Sequence, residues 1–471
     1  MEPYGLETPL WSYLVGTGAA IAVFAVIVPA VLLRTNRWRG HPRVMPLKPG
    51  QSRFFGHRVC LGTIKAISVA LLALVVAVGM FGEQNPYRNP APIAVWAVVW
   101  VGMAAVSATL GNLWALINPW AVLFGWAAAL LARRSPGRPL HSGMPYPEGL
   151  GAWPAAVLFM VLVWTGLALE VGQTPERLAW VIAAYSAISW TGMALFGKDV
   201  WVANGEAVAQ AFSLLDRLAP TQMARVPEGS TTPTMCLRLP ASGLLTGRPL
   251  SWALTVMVLS MLAAAVFDGL VETRLWSGLH DWLLTDRMVW PLVSRLLELG
   301  LGLPAAIKTV AFAGCAAAVM GAYLLAALIA AWAGGEASAS EVCRALVLSL
   351  VPVAAILHLA HHLPDFGMAT RQLATLAADP FGLGYALWEV PDPPDAARPN
   401  SQFAWFATVA AVLAGHLLAI GSLNVTAMRR FKDARSALRG QSPVAILLLG
   451  SATGSLWILA QPFIQAGILP R

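Results

Sequence analysis

Four of the chain's eight histidines sit inside apolar runs long enough to cross a membrane. His358, His361 and His362 fall in L-V-P-V-A-A-I-L-H-L-A-H-H-L-P, and His416 falls in V-A-A-V-L-A-G-H-L-L-A-I. Ionisable side chains are costly in hydrocarbon, so residues of this kind mark functional sites by default. Spacings of three and four residues put His361 and His362 about one helical turn from His358, where two imidazoles can share one metal ion. His416, on the next apolar run, is the natural third ligand, although counting along the helices places it nearer mid-bilayer than the other three. Membrane histidines also serve simply to hydrogen-bond neighbouring helices, and that reading stands beside the metal one.

Asp268, in A-A-V-F-D-G-L-V-E-T, ends another apolar run at about the depth of the trio. A carboxylate there can ligate a metal or orient a ligand histidine, which makes Asp268 the candidate catalytic carboxylate. Asp365, Asp379 and the His280–Asp281 pair are weaker candidates, because loop carboxylates are usually solvated. The implied cofactor is a divalent metal ion of unspecified identity. No G-x-S-x-G elbow, G-x-x-x-x-G-K-[ST] loop or H-E-x-x-H is present. Glu206, in V-W-V-A-N-G-E-A, is expected on the cytoplasmic side, separated from the histidines by the bilayer.

The elements that must hold these side chains are membrane helices. Of 471 residues, 58% are hydrophobic and 11% charged, a balance that excludes a soluble domain of this length. Runs able to cross ~30 Å of hydrocarbon at ~1.5 Å per residue predict an all-α polytopic protein with about ten spans in a single membrane domain. They lie near 11–33, 61–82, 93–110, 152–170, 178–197, 252–271, 307–332, 344–363, 403–427 and 443–465. Residues 111–134 are apolar but end in Arg133 and Arg134, and Asn118-Pro119 would break a straight helix, so they are expected to be interfacial or re-entrant. Residues 198–251 form the largest cytoplasmic connection, with 272–306 and 364–402 as external loops.

Most of the 31 Lys and Arg fall in the first loop and in alternate connections from it. That bias orients the chain in its membrane with both termini outside the cytoplasm. The net charge of +8 is this loop bias, so membrane lipids rather than nucleic acid are the expected partners. A partner subunit is not specified by the sequence. Cys60, Cys236, Cys315 and Cys343 lack C-x-x-C spacing, and structural disulfides are not expected.

The segments G-N-L-W-A-L-I-N-P-W, F-G-K-D-V-W-V-A-N-G-E-A, F-D-G-L-V-E-T-R-L-W, D-P-F-G-L-G-Y-A-L-W and L-W-I-L-A-Q-P, with the two histidine runs, extend over most of the chain. In this order they resemble a group of bacterial polytopic membrane proteins known as fenitrothion hydrolases. The resemblance implies hydrolysis of a lipophilic organophosphorus triester, with release of a nitrophenol from a dialkyl thiophosphate. It also implies a metal held by His358, His361 or His362 with His416 and Asp268. Where the family tends to carry a second polar pair after A-G-H, this chain has S-L-N-V-T with Asn424. Two alternatives remain open: transport or insertion of a metal or small molecule through the same histidines, and a b-type haem held by His358 or His361 opposite His416.

Overall fold

Backbone amides that enter hydrocarbon must be satisfied within their own segment, and the apolar runs of this chain answer that requirement with helices. The structure is a computed structural model and describes residues 10–35, 45–46, 58–137, 139–224, 234–245, 248–336, 338–385, 387–388 and 401–460. Helices α1 (Leu10–Thr35) and α2 (Arg58–Phe81) are followed by α3 (Pro90–Thr109), whose middle, Ala94–Gly102, winds as a π-helix. Asn118 separates α4 (Trp114–Ile117) from α5 (Pro119–Arg134), as the Asn-Pro pair predicts. Its ψ of 108° stops the first helix, and its side chain accepts the Ala121 N–H to cap the second.

Next come α6 (Trp153–Leu167), α7 (Pro175–Phe196) and a second broken pair, α8 (Lys198–Asn204) and α9 (Ala207–Asp216). Helix α10 (Trp252–Val271) precedes the short α11 (Arg274–Thr285) and α12 (Trp290–Glu298), which give the 272–306 connection helical structure. The long α13 (Leu303–Gly334), the short α14 (Ala339–Leu346), then α15 (Val351–Leu376), α16 (Ser401–Arg430) and α17 (Ala434–Leu459) complete the bundle. The strands β1 (Met45–Pro46), β2 (Thr221–Ala224) and β3 (Thr234–Leu237) pair antiparallel in the order β1-β3-β2. Cys60, Cys236, Cys315 and Cys343 are free thiols.

Eleven helical segments among the described residues are long and apolar enough to cross a membrane, one more than the sequence reading counted. The additional one is Trp114–Arg134. Before it, the Leu110 carbonyl accepts from Thr221 Oγ1, and the Asn112 N–H donates to Asp216 at 2.9 Å. After it, the Ser142 N–H donates to the Ala194 carbonyl at 2.7 Å. Ala194 and Asp216 are joined only through α8 and α9, of 7 and 10 residues, neither long enough to cross about 30 Å. Both flanks therefore lie at one end of the bundle, and the segment enters and returns. At the opposite end, Leu14 of α1, Leu357 and Ala360 of α15 and Leu459 of α17 share one apolar cluster. The first described helix thus starts, and the last ends, at the end that carries the histidines.

Glu206 departs most from its expected place. It is fully buried and caps α9, accepting the Val208 and Ala209 N–H groups at 3.1 and 2.7 Å, Asn118 Nδ2 at 2.9 Å and the Tyr185 hydroxyl. Burial pushes its carboxyl above the ordinary range, while these donors pull it back. The helix it caps is part of the wall of the histidine cavity described below.

Two outcomes follow from this architecture. Cysteine probes at Gly137 and Arg435 should label from one side of a sealed vesicle and a probe at Asp286 from the other; Gly137 labelling with Asp286 would mean that α4–α5 crosses. Glu206→Ala should lower stability by about 1–3 kcal/mol, since it leaves buried donors unpaired, and Glu206→Gln should lower it less. Because the folded-state pKa of Glu206 is raised, its stabilisation is full below the unfolded value of about 4.5 and is lost as pH rises through the folded value. Unfolding midpoints in detergent should show this slope in the wild type and not in Glu206→Gln.

Candidate metal centre

Helix α15 presents Ala354, His358, His362, Phe366 and Ala369 at spacings of four, four, four and three residues, so they share one face, and that face lines a cavity of about 450 Å³. Helix α10 adds Met261, Ala265 and Asp268 by the same periodicity. Trp100 of α3, Phe159 of α6 and Phe212 of α9 close the other sides. The wall is apolar apart from a few groups, chief among them the two histidines and Asp268.

Between α10 and α15 the donors converge. His362 Nε2 is 2.9 Å from Asp268 Oδ2. His361 Nε2 is 3.9 Å from the same oxygen and 3.5 Å from Glu272 Oε1. One donor atom each from Asp268, His361 and His362 lies within 4.8 Å of the others. Ligands ~2.0–2.1 Å from a tetrahedral metal stand roughly 3.3 Å apart, a spacing that falls between the separations of Asp268 from His362 and from His361. Glu272 Oε2 is buried and has no hydrogen-bond partner. An orphaned carboxylate oxygen on a residue that meets His361, next to the Asp268–His361–His362 group, adds to a donor set that a divalent cation would satisfy.

The structure divides the expected site residues. His361 turns toward Asp268 and Glu272, whereas His358 faces the cavity. The His358 ring centroid is 4.9 Å from that of His362 and 6.2 Å from that of Trp100, and its ring N–H donates to the Trp100 carbonyl. His358 therefore flanks the three-donor group rather than joining it.

His416 does not converge with the trio. It is fully buried, with Nδ1 2.8 Å from the Val412 carbonyl one turn back on α16 and Nε2 3.0 Å from Ser451 Oγ on α17, so both ring nitrogens are engaged, one within α16 and one in joining α16 to α17. The expectation that it supplies a third ligand is corrected on that ground, and the haem pairing that required it loses its second axial group.

The weaker candidates are structural. Asp379 accepts the Leu383 and Gly384 N–H groups at 2.9 and 2.6 Å, and His280 and Asp281 pair at 3.6 Å on α11. The Asp365 side chain lies outside the described residues. Asn424 donates to the Ile420 carbonyl, and its Oδ1 is buried without a partner. Sequence reasoning missed Glu272, although it stands four residues after Asp268 on the same helical face, and missed the wall that α9 and Trp100 build.

The chain matches no protein-family description, no curated protein and no solved structure. The functional reading therefore rests on this cluster and its cavity.

Competitive zinc titration against a chromophoric chelator should separate the roles. His361→Ala and Asp268→Asn should each weaken binding by at least about 10–100-fold, while His416→Ala should leave affinity nearly unchanged. The last variant should instead lower thermal stability by about 1–3 kcal/mol, through the unpaired Ser451 contact and lost packing. An equal loss of zinc affinity in His416→Ala would return it to the ligand set.

Proposed function

We propose that this protein is a membrane-embedded, metal-dependent hydrolase of lipophilic organophosphorus triesters. The carrying observation is the Asp268–His361–His362 donor group set in the wall of an otherwise apolar cavity of about 450 Å³. That volume falls within the ~300–1,000 Å³ usual for small-molecule sites, and its lining suits a neutral aryl ester that partitions into membranes.

A divalent ion bound there would supply an acidified water and polarise the phosphoryl or thiophosphoryl group. Asp268, His361 and His362 would hold it, with the free oxygen of Glu272 completing the set. The two carboxylates, Asp268 and the partly exposed Glu272, would balance its two positive charges. His358, on the cavity face beside His362, is placed to hold a proton during attack or departure. Trp100 and Phe159 stack at 5.9 Å and 17°, offering flat surfaces to an aryl leaving group. In this reading the histidine end of the bundle faces outward from a bacterial inner membrane, with both termini outside the cytoplasm. Its partners are membrane lipids and the lipophilic substrate.

A second reading, transport of a metal or small molecule, is favoured by one observation. Two interrupted helices meet where Asn118 Nδ2 donates to Glu206, an arrangement transporters use at their binding sites.

Purified, zinc-loaded protein should release nitrophenol from a dialkyl nitrophenyl thiophosphate in detergent. A chelator should abolish release, returned metal should restore it, and His361→Ala should lower kcat/KM by about 100-fold or more. Metal movement across sealed vesicles without any phenol release would establish transport instead.

A further inference from the structure

A second cavity, of about 490 Å³, lies across α3 from the first and is walled mainly by α2, α3 and α7. Ile67, Leu71 and Val98 at its rim are 52%, 54% and 40% exposed on helices of spanning length, so the groove opens on the medium around the bundle. Its hydroxyl groups are already bonded within the protein. Ser68 Oγ donates to the Ile117 carbonyl, Thr165 Oγ1 to the Leu162 carbonyl at 2.8 Å, and the Tyr185 hydroxyl to Glu206. A space that leaves water so few partners favours hydrocarbon.

Its inner wall distinguishes it from an ordinary lipid-facing groove. Trp96 and Trp100, both in the π-helical stretch of α3, line this groove and the histidine cavity alike. The Trp96 ring occupies space left by two glycines: a Cβ on Gly166 or Gly172 would come within 2.6 or 2.3 Å of it. Trp100 lies against Phe159 on one side and His358 on the other. Two indoles thus stand between a groove open to the spans' surroundings and the candidate metal centre. A π-helical stretch of nine residues is rare, and such stretches occur often at functional sites. The two spaces are also similar in volume.

We infer that the groove between α2, α3 and α7 is the access site at which an apolar aryl ester leaves the bilayer, to pass Trp96 and Trp100 into the histidine cavity. The identity of the occupant rests on the hydrolase reading; the route rests on the shared indole wall.

The test uses the full chain in lipid nanodiscs and a dialkyl aryl thiophosphate carrying a diazirine on one alkyl group. With metal chelated, photolysis and peptide mapping should find adducts at Met103 and Tyr185 in the groove and at Met261 in the cavity. Excess unlabelled ester should suppress these adducts, but not those at the exposed Val157 and Leu325, which line neither space. For turnover, Leu71→Trp, which fills the groove from its rim, should raise KM for the diethyl nitrophenyl thiophosphate several-fold relative to KM for a water-soluble nitrophenyl phosphate ester. Leu325→Trp should change neither. Groove adducts that unlabelled ester does not suppress, or an unchanged KM ratio in Leu71→Trp, would overturn the route. If the wild type hydrolyses neither ester, the hydrolase reading fails while the labelling result still decides whether the groove takes an apolar ester.

Discussion

The candidate site depends on how Asp268, near the end of α10, and the partly exposed Glu272, one helical turn on, are accommodated. A carboxylate taken out of water loses several kcal/mol of hydration unless charge and hydrogen bonds replace it, and two nearby carboxylates also repel each other. His361 and His362 supply that compensation from α15, with His362 at 2.9 Å from Asp268. The pairing fixes the mutual rotation of α10 and α15, and the apolar contacts of Ala265 with Leu357 and Ala360 follow from it. One oxygen of Glu272 is still left over. A site that sets two imidazoles against two carboxylates and still leaves one oxygen unpaired is poised for a cation.

The cavity beside this site exists because several surrounding helices are not regular. Continuous helices packed ridge into groove leave little space, and a cavity requires some to stop, widen or turn back. Here α3 widens into a π-helix, α4 and α5 break at Asn118, and α8 and α9 break before Glu206. Each break frees backbone N–H groups that cannot remain unpaired away from water. Asn118 and Glu206 resolve both interruptions at one node by capping the following helices and bonding each other at 2.9 Å. The floor of the cavity, α9, is thereby held by a buried carboxylate rather than by a transmembrane length of its own.

The same physics explains what could be read from the sequence. Hydrophobic length is a direct readout of a span, and the Asn-Pro pair signalled the break between α4 and α5. The i, i+4 relation of His358 and His362 survived because it needs only one helix to be true. What failed depended on how separate helices rotate about their axes. Gly415 meets α15, where a Cβ would come within 2.5 Å of Ile356, so His416, about 100° further round, is directed to α17. No periodicity within α16 contains that choice, because a small residue at a close crossing and its polar neighbour can be ordered toward either partner. Glu206 was misplaced for another reason: α9, with 10 residues, falls below the length that marks a membrane segment.

The three histidines of α15 therefore have unlike duties despite their proximity. His361, only 6% exposed, turns to the two carboxylates, while His358 and His362 line the cavity face. Residues spaced three and four apart straddle a helix face rather than coincide on it, so one turn of α15 serves both the buried charge and the open space. Asp268 touches both sets, lying in the cavity wall and within reach of His361 and His362. A histidine on a single face would have produced either a buried ion pair with no access or an exposed one with no anchor. The H-x-x-H-H spacing meets both requirements.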